Sequence, residues 1–389
     1  MLFLCAKLLK ILGLIRIVKV LTTLLLCNRL RKRLLLVKNS IFLAIQNNII
    51  YMSRHPITIK DIAKILNVSV STVSRALKDH PDISKKTKKA VQDLARELNY
   101  RPNEIALSLK NRRSKIIGIM VPKLVHHFFS SVIEGVENVS YENGYQVMIY
   151  HSDELLQREI QLTESFMSYR LDGLIVSMSK ETEDASHFTK LAQLGVPIVY
   201  VDRVPDGDFN KVLFDDYQGA YDAVKHMIDC GCKKVVHFGV SPTMDIGRKR
   251  SKGYLDALKD GGLPTRDDYI VNCDSYEGAL KTTEDIMYLY PDIDGVFAVN
   301  DMTAIGAMKQ LQKMGKRIPE DVKVMGFSNE ISSSISSPTL STVDQQGVLM
   351  GEEAAKLLLD NMDGIKRAQV KTVGANLVAR ESTCGLLKG

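Results

Sequence analysis

The sequence contains few of the residues that mark several common protein classes. Six of its 389 residues are cysteines and none is tryptophan. The cysteines are Cys5, Cys27, Cys230, Cys232, Cys273 and Cys384. None of their spacings matches a zinc site, which argues against a zinc-stabilised domain. We therefore expect reduced, structural thiols, as is typical of a cytoplasmic protein.

Long apolar runs and enzyme motifs are also missing. No uncharged run reaches the roughly 18–20 apolar residues that span a bilayer, so no stable membrane association is expected. The chain has no P-loop, no GxGxxG element after its first strand, no GxSxG elbow and no metal-ligand cluster. The adjacent acids Asp215-Asp216 and Asp267-Asp268 point apart and are interpreted as helix caps or turn residues. The sequence thus predicts no catalytic residue, no metal and no cofactor.

Charge is distributed unevenly along the chain. The formal net charge is +7. Residues 1–51 hold nine basic residues and no acid, and residues 52–115 hold fifteen basic and six acidic residues. Residues 116–389 hold 28 basic and 39 acidic residues. A small basic segment before a larger acidic body is typical of a polyanion-binding module joined to a second domain.

The first 51 residues are rich in Leu and Ile, and basic residues are dispersed among them. This dispersal differs from a signal peptide, whose basic residues precede one apolar core. Met52 opens a stretch that is typical of a protein start. We interpret 1–51 as upstream sequence read in frame or as a non-globular leader, with a membrane-associated basic helix as the alternative.

Residues 58–77 carry the pattern of two short helices joined by a tight turn. Thr58 is a favourable N-cap, and the apolar residues after it recur at helical spacing. Asn67 tolerates the left-handed conformation that a tight turn needs. Ser69 can cap a second helix, Val70–Leu77.

A third helix is expected to begin at Asp82 or Ser84 and to continue to about Leu98. Its apolar residues would pack on the first two helices, and its lysines would be exposed. These lysines are Lys85, Lys86, Lys88 and Lys89. Three short helices with a positive surface predict a unit that places its second helix in the major groove of DNA. The alternative is a generic three-helix domain that binds a protein partner.

The second helix presents a set of side chains that can contact DNA. Val70 suits a thymine methyl group, Ser71 can bond to several bases, and Arg75 can bind a guanine or a phosphate. Thr72 lies beside them, and the lysines of the third helix suit phosphates. Asn103 can cap a further helix, 104–110. That helix is too short to be stable alone, so it would be ordered only by a partner chain and DNA together.

From residue 116 onward, apolar strand-like runs alternate with amphipathic helical stretches. The predicted strands are Ile116–Val121, Gln146–Tyr150, Gly173–Met178, Pro197–Val201, Lys234–Gly239, Gly295–Val299 and Val322–Phe327. This alternation predicts parallel sheets covered on both faces by helices. Since the strands are too many for one small sheet, two α/β lobes with a ligand cleft between them are expected.

The sequence resembles the lactose/galactose repressor (LacI/GalR) family of bacterial regulators over nearly all of 57–385. The resemblance is carried by Thr58-Ile59-Lys60-Asp61-Ile62-Ala63, Val68-Ser69, Thr72-Val73-Ser74-Arg75-Ala76-Leu77 and Leu98-Asn99-Tyr100-Arg101-Pro102-Asn103. It implies a dimer that reads a pseudo-palindromic operator and a hinge helix within 102–115. Leu109 would be inserted at a minor-groove step, which kinks the DNA, or would make an ordinary apolar contact within the hinge. The implied DNA-binding residues are Thr58, Val70, Ser71, Thr72, Arg75, Asn103 and Leu109.

The resemblance also implies an effector domain with the fold of periplasmic sugar-binding proteins. Arg250-Ser251-Lys252-Gly253-Tyr254 resembles the element whose Arg reaches the ligand, and Asn300-Asp301-Met302-Thr303-Ala304 the element whose Asp bonds to ligand hydroxyls. Without the family, Arg250 would be an exposed helix charge and Asn300-Asp301 a helix cap. The implied effector-binding residues are Phe128, Asp202, Arg250, Tyr276, Asn300, Asp301, Ser328 and Gln345. Ser328 replaces an acid of many members, and Phe128 or Tyr276 would have to stack on a sugar in place of a tryptophan.

The predicted fold class is α/β, with four segments. These are the leader 1–51, a helix-turn-helix domain 52–101, a hinge helix and linker 102–115, and a two-lobed effector-binding and dimerisation domain 116–389. The predicted function is a cytoplasmic, sequence-specific DNA-binding regulator, a repressor in the simplest case. It would act as a homodimer on double-stranded operator DNA and respond to a sugar or sugar derivative. The alternatives are a sugar receptor of the periplasm or membrane and an enzyme acting on small sugars.

Overall fold

The structure is a computed structural model that describes residues 57–100, 113–364 and 367–384. These residues form two compact units, 57–100 and 113–384. The expectations for the leader 1–51, the start at Met52, Asn103 and the wedge Leu109 concern residues outside the described ranges. Within those ranges, no helix is long and apolar enough to cross a membrane.

Three helices make up the first unit: α1 (Ile59–Leu66), α2 (Val70–Leu77) and α3 (Lys85–Glu97). Their shared core is small and wholly apolar. Its buried members are Ile62, Ala63, Val73, Ala76, Val91 and Ala95. All six lie on the helix faces that the sequence periodicity marks as internal, so the predicted helix-turn-helix arrangement is confirmed.

Local caps determine where α1 and α2 begin and end. The Asp61 carboxylate accepts hydrogen bonds from Thr58 N (2.9 Å) and Thr58 Oγ1 (2.7 Å) at the start of α1. Asn67 ends α1 in the left-handed conformation, with φ of 50°. Ser69 Oγ then accepts a hydrogen bond from Thr72 N at 3.0 Å and starts α2. Because only Asn67, Val68 and Ser69 separate the helices, the turn is tight, as predicted.

One predicted exposure on α3 is wrong. The Lys88 side chain is only 16% exposed, and its Nζ lies 2.8 Å from the Asp79 carboxylate. It also donates a hydrogen bond to the Asp79 carbonyl, so Lys88 fastens the α2–α3 loop. Lys85, Lys86 and Lys89 are exposed, as the sequence predicts.

The second unit contains two α/β lobes, and lobe 1 is built on a six-stranded sheet. Its strands are β1 (Ile116–Val121), β2 (Gln146–His151), β3 (Gly173–Val176), β4 (Ile198–Val201), β5 (Asn210–Phe214) and β11 (Val370–Val373). Their order is β11-β5-β4-β3-β1-β2, and every neighbouring pair is parallel. The helices of lobe 1 are α4 (His127–Glu142), α5 (Leu156–Tyr169), α6 (Ser186–Gln193) and α12 (Gly347–Met362).

Lobe 2 is built on a four-stranded parallel sheet. Its strands are β6 (Val235–Gly239), β7 (Ile270–Asn272), β8 (Gly295–Ala298) and β9 (Lys323–Met325), in the order β7-β6-β8-β9. Its helices are α7 (Asp216–Asp229), α8 (Asp245–Asp260), α9 (Tyr276–Leu289), α10 (Asp301–Lys313) and the short α11 (Ile331–Ile335). An antiparallel pair, β10 (Thr342–Asp344) and β12 (Asn376–Val378), completes it.

The predicted two-lobed fold with parallel sheets is confirmed. Each of the seven predicted strands overlaps an observed one, and the predicted and observed bounds agree to within two residues. The central strands β3, β4 and β8 are buried at every position, which is why they read as unbroken apolar runs. Five strands escaped prediction, namely β5, β7, β10, β11 and β12. They are three to five residues long and carry polar residues such as Lys211 and Lys371, so no apolar run marks them.

The chain crosses between the lobes three times within the described residues. It passes from β5 to α7, from β10 to α12, and from β11 to β12. Lobe 1 therefore combines residues from before and after lobe 2. Because the links are short and each lobe has its own sheet, the lobes can move as units about these three segments.

Two cysteines depart from the expectation of reduced thiols. Cys230, at the end of α7, and Cys384, near the end of the described chain, form a disulfide bond with their Cα atoms 5.4 Å apart. They are 154 residues apart in sequence, so spacing alone gave no indication of the contact. Cys232 and Cys273 are free and buried, which agrees with structural thiols.

Helices α4 and α12 pack so closely that their backbones nearly touch. A Cβ atom added at Gly351 would lie 2.0 Å from the Val132 carbonyl oxygen. One added at Gly135 would lie 2.0 Å from the Val348 carbonyl oxygen. Since α12 also covers β3, β4 and β5, the packing of lobe 1 depends on these two glycines.

Gly351→Ala is expected to lower the free energy of unfolding by roughly 1–3 kcal/mol, the usual effect of overpacking. Alanine also has a higher helix propensity than glycine, which offsets up to about 1 kcal/mol of this loss. Gly374→Ala is the matched control, because no atom lies within 4 Å of a Cβ atom there. Chemical denaturation followed by circular dichroism measures both variants. Equal midpoints for the two would contradict the assigned packing.

Candidate functional site

The first unit presents three of the predicted DNA-contacting side chains on the surface of α2. Val70 is 42% exposed, and Ser71 and Arg75 are exposed as well. The Arg75 Nε atom donates a long hydrogen bond of 3.4 Å to the Ser71 carbonyl, so the guanidinium remains near the helix start. An apolar, a hydroxyl and a cationic group thus lie side by side where a recognition helix would contact base edges.

Two other predicted DNA-contacting residues are engaged in caps. Thr58 Oγ1 donates to Asp61, and these hydrogen bonds lower the pKa of the Asp61 carboxyl. Thr72 is half-buried, with its hydroxyl 2.7 Å from Ser69 Oγ. Their hydroxyls are therefore partly committed to starting α1 and α2.

A cleft lies between the two lobes, at the carboxyl ends of the parallel strands. Six of the eight predicted effector residues line it: Phe128, Asp202, Arg250, Asn300, Ser328 and Gln345. Asp202 follows β4 of lobe 1, whereas Asn300 and Ser328 follow β8 and β9 of lobe 2. This is the edge of an open α/β sheet where ligands bind, because the loops of neighbouring strands meet there.

Arg250 is the most enclosed cation of the cleft, with only 4% of its surface exposed. Its Nε donates to Asp216 Oδ1 at 2.8 Å, and its Nη1 donates to the Val299 carbonyl at 2.6 Å. The guanidinium carbon lies 3.7 Å from the centre of the Phe327 ring. The side chain is thus held in one orientation by a carboxylate, a carbonyl and an aromatic face.

Asp216 positions Arg250 at the cleft, and sequence reasoning missed this role. Of the adjacent acids, Asp215 does cap α7, accepting a hydrogen bond from Gln218 N at 3.1 Å. Asp216 points inward and is 4% exposed. Burial raises the pKa of its carboxyl, and Arg250 opposes this rise. Two adjacent acids stand at the start of α7, and a helix start needs only one of them as its cap. The second acid was therefore the one sequence signal for a further role.

Asp202 combines an unusual backbone with an unusual environment. Its φ of 62° lies in the left-handed region, and its side chain is 6% exposed. Burial raises the pKa of the Asp202 carboxyl to about 6, with Asp216 adding to the rise and Arg203 opposing it. The group therefore changes charge close to neutral pH at the wall of the cleft.

Ser328 and Gln345 are joined across lobe 2. The Ser328 hydroxyl donates to Gln345 Oε1 at 2.8 Å, so the Gln345 amide group is oriented at the cleft. The φ of Ser328 is 119°, a conformation that L-residues rarely adopt. At the position where the family resemblance implied an acid, this chain has a hydroxyl that orients a neighbouring amide.

Two predicted effector residues do not line the cleft. Asp301 is fully buried, and its carboxylate accepts hydrogen bonds from Thr342 Oγ1 (2.5 Å) and Glu330 N (2.7 Å). It positions the loop after β9, and burial raises its pKa to about 7. Tyr276 begins α9 and lines a surface groove between α9 and α10. Neither side chain is available to a ligand in the cleft.

The helix-cap interpretation describes the neighbouring Asn300. Its Oδ1 accepts a hydrogen bond from Thr303 N at 2.8 Å and so starts α10. Its Nδ2 donates to the Asp274 carbonyl at 3.1 Å. Asn300 therefore caps a helix and lines the cleft at the same time.

The cleft also contains two ion pairs that were not predicted from the sequence. Lys180 of lobe 1 forms an ion pair with Asp274 of lobe 2, which bridges the lobes. Arg203 Nη1 lies 2.7 Å from Glu154 Oε2. Lys180 follows β3 and Asp274 follows β7, so their positions after strands could have predicted that both lie at the cleft. The short β7 was not recognised, however, and Asp274 was missed with it.

Three lysine and arginine side chains line the cleft, and each has a carboxylate partner. Lys180 pairs with Asp274, Arg203 with Glu154 and Arg250 with Asp216. Asp202 and Glu330 are further acids of the lining. The described cleft is therefore rich in polar groups but carries no unpaired positive charge among these three side chains.

A unit with an exposed recognition helix, followed by two lobes around a polar cleft, defines a DNA-binding regulator controlled by a small-molecule effector. The family model described as bacterial regulatory proteins of the lacI family matches residues 58–103. A second model, the periplasmic binding protein-like domain, matches residues 224–383.

The ribose operon repressor of Halalkalibacterium halodurans is 32% identical over 337 residues, which cover 84% of this chain and 97% of that protein. The structure of the transcriptional regulator CelR with cellobiose matches at 26% identity and a TM-score of 0.65, covering 84% of this chain and 99% of that chain. The lac repressor dimer bound to operator and ONPF matches at 23% identity and a TM-score of 0.76, covering 85% and 99%, which shows the shared fold. The chain belongs to the LacI family, whose members are transcriptional regulators.

The raised pKa of Asp202 generates a pH prediction. Because its folded-state pKa of about 6 exceeds the ordinary 3.8, protonation favours the folded state. This contribution is present at low pH and is lost as the pH rises through 6. Asp202→Asn should remove the loss, which amounts to as much as ~3 kcal/mol.

Unfolding free energies measured from pH 4 to pH 7.5 test this expectation. Relative to Asp202→Asn, the wild-type protein should become progressively less stable as the pH rises. Asp208→Asn, which removes an exposed carboxylate of the same loop, serves as the control and should follow the wild type. Parallel curves for wild type and Asp202→Asn would show that Asp202 ionises normally.

Proposed function

We propose that the protein acts in the cytoplasm as a homodimer, and that a neutral sugar in the cleft changes its affinity for a pseudo-palindromic operator. The observation that carries the ligand class is the pairing of the cleft cations with carboxylates. An anionic effector would need an unpaired cation to offset its desolvation. A polyol instead needs donors and acceptors around an apolar surface.

The lining of the cleft suits a carbohydrate. Sugar hydroxyls both donate and accept, so they match the side chains of Asn300, Ser328, Gln345 and Asp202. Phe128 can cover an apolar sugar face, since the chain has no tryptophan. The names of the similar proteins support the same class, because one regulates a ribose operon and another is in complex with cellobiose.

For the DNA, we assign base contacts to Val70, Ser71 and Arg75. Lys85, Lys86 and Lys89 would bind phosphates, which position the protein without reading sequence. Thr58 and Thr72 would contact the DNA backbone next to the helix caps in which they take part. Asn103 and Leu109 retain the hinge roles that the family resemblance implies, with Leu109 inserted in the minor groove.

Binding to DNA from the protein's own genomic neighbourhood tests the proposal directly. Duplexes are titrated at fixed salt, with and without neutral and anionic sugars. We expect one duplex to bind at least ~1,000-fold more tightly than random DNA, and one neutral sugar to shift that affinity. A response only to phosphorylated or carboxylated sugars would overturn the ligand class. Equal affinity for all duplexes would overturn the operator assignment.

Arg75→Ala is expected to weaken operator binding by about 1–3 kcal/mol and to relax specificity at the base it contacts. Arg96→Ala is the charge-matched control, because Arg96 lies at the far end of α3 and is exposed. Electrophoretic or fluorescence titration compares specific and random duplexes. If both duplexes lose affinity equally, Arg75 contacts only phosphate.

Arg250→Lys is expected to abolish or strongly weaken the sugar response while leaving operator affinity intact. Lysine keeps the charge beside Asp216 but loses the planar group that stacks on Phe327. Arg317→Lys in lobe 2 is the control, since the Arg317 side chain is 71% exposed and lies outside the lining of the cleft. Sugar binding by calorimetry and sugar-dependent DNA release are the measurements. A normal response in Arg250→Lys would refute the role of the guanidinium.

A further inference from the structure

Three soft or borderline metal ligands converge at the end of α7. His226 lies in the last turn of that helix, and Cys230 caps it four residues later. Cys384 arrives from the returning C-terminal segment. The ligand atoms of all three residues lie within 4.8 Å of one another. None of the three lines the effector cleft.

The convergence depends on a well-ordered return of the chain. Val324 N donates to the Ser382 carbonyl at 2.9 Å, and Ser382 N donates to the Thr339 carbonyl at 2.9 Å. Thr383 is fully buried, and its hydroxyl lies 2.7 Å from Ser341 Oγ. These bonds hold the segment beside α7 independently of any bond between the two sulfurs.

The geometry matches one edge of a tetrahedral metal site. Residues four apart on a helix lie on one face, so His226 and Cys230 point the same way. Their Nε2 and Sγ atoms are 3.6 Å apart. With metal–sulfur bonds of about 2.3 Å and metal–nitrogen bonds of about 2.0–2.1 Å, tetrahedral zinc requires this separation to be about 3.6 Å.

The cysteine pair can supply the other edge once its bond is reduced. Two thiolates on one zinc ion lie about 3.8 Å apart. The Cα atoms of Cys230 and Cys384 are 5.4 Å apart, and both residues are partly exposed, so side-chain rotation can open the sulfurs to that distance. In a reducing compartment, cysteine pairs more often bind metal or react than form permanent disulfides.

We propose that the reduced protein binds one zinc-class divalent cation through His226 Nε2 and the thiolates of Cys230 and Cys384. A thiol reductant first delivers two electrons and two protons to the disulfide and is itself oxidised to a disulfide. The cation then displaces both thiol protons and takes the place of the Thr383 hydroxyl at His226 Nε2, while that hydroxyl keeps its contact with Ser341 Oγ. Water occupies the fourth position. Disulfide formation and metal binding exclude each other, because sulfurs that are bonded to each other cannot act as thiolate ligands.

Cobalt(II) is the probe for the proposed site, because thiolate coordination gives it strong absorption bands and tetrahedral geometry gives intense d–d bands. The full-length protein is reduced with a phosphine under argon and titrated. We expect one equivalent to produce these bands and zinc to displace it. The same protein oxidised with glutathione disulfide should give none of this signal. If the oxidised protein gives the same spectrum, the ligands lie elsewhere and the proposal fails.

Variants identify the ligands. His226→Ala and Cys230→Ser should each lower the cobalt affinity at least ~10-fold and change the spectrum. Cys232→Ala is the matched control, since Cys232 is two residues from Cys230 but buried, with its thiol directed to the Asp294 carbonyl. Cys5 and Cys27 remain in every reduced variant, so any binding by them contributes equally to these titrations and cannot account for a difference between variants.

Thermal unfolding gives a second readout that needs no variant. Zinc should raise the unfolding temperature of the reduced wild-type protein and leave that of the oxidised protein unchanged, because a ligand stabilises only the state that binds it. An equal shift in both forms, or no shift and no cobalt spectrum in the reduced form, would overturn the proposal. Effector and operator binding are measured separately, so this outcome leaves the proposed function unaffected.

Discussion

A single buried guanidinium connects the elements of lobe 2 that meet at the cleft. Arg250 reaches from α8 to the start of α7 through Asp216, to the end of β8 through the Val299 carbonyl, and to the end of β9 through Phe327. Asp216 also lies directly after a crossing from lobe 1. Removing one partner of such a pair leaves an uncompensated buried charge, which typically destabilises a protein by about 3–5 kcal/mol. The position of the cleft wall and the stability of the fold therefore depend on the same contact.

The cations of the cleft are paired with carboxylates of the protein itself, and these ion pairs affect how a ligand can change the arrangement of the lobes. The ion pair of Lys180 with Asp274 joins the lobes directly, so it favours the arrangement in which they are close. A ligand can shift the balance between lobe arrangements only by binding one more tightly than the other. A neutral ligand that keeps this ion pair would add its hydrogen bonds to an already bridged state, whereas a ligand that displaces it must supply equivalent contacts. Asp202, which ionises close to neutral pH, makes that balance sensitive to protons as well.

The parts of the molecule that could be predicted from the sequence are those determined by near neighbours. Asn67 and Ser69 define a turn through their own backbone and side chains, and β8 reads as a strand because all of it is buried. The family resemblance supplied six cleft residues, but it could not show that Asp301 bonds to Thr342, a residue 41 positions away. Asp216 and Asp274 were missed because their partners come from distant elements. The disulfide partner of Cys230 could not be predicted either, because the contact depends on where the C-terminal segment packs, 154 residues later.

The interleaving of the lobes has a consequence for protein synthesis. The apolar face of β3, β4 and β5 is covered by α12, which the ribosome makes only after most of lobe 2. About 130 residues separate β5 from α12, so at ~5–20 residues per second this face stays uncovered for on the order of 10 s. Lobe 1 cannot complete its core during that interval, although it begins first. The nascent chain is thus most exposed to aggregation, and most dependent on chaperones, after β5 has been made and before α12 has been made.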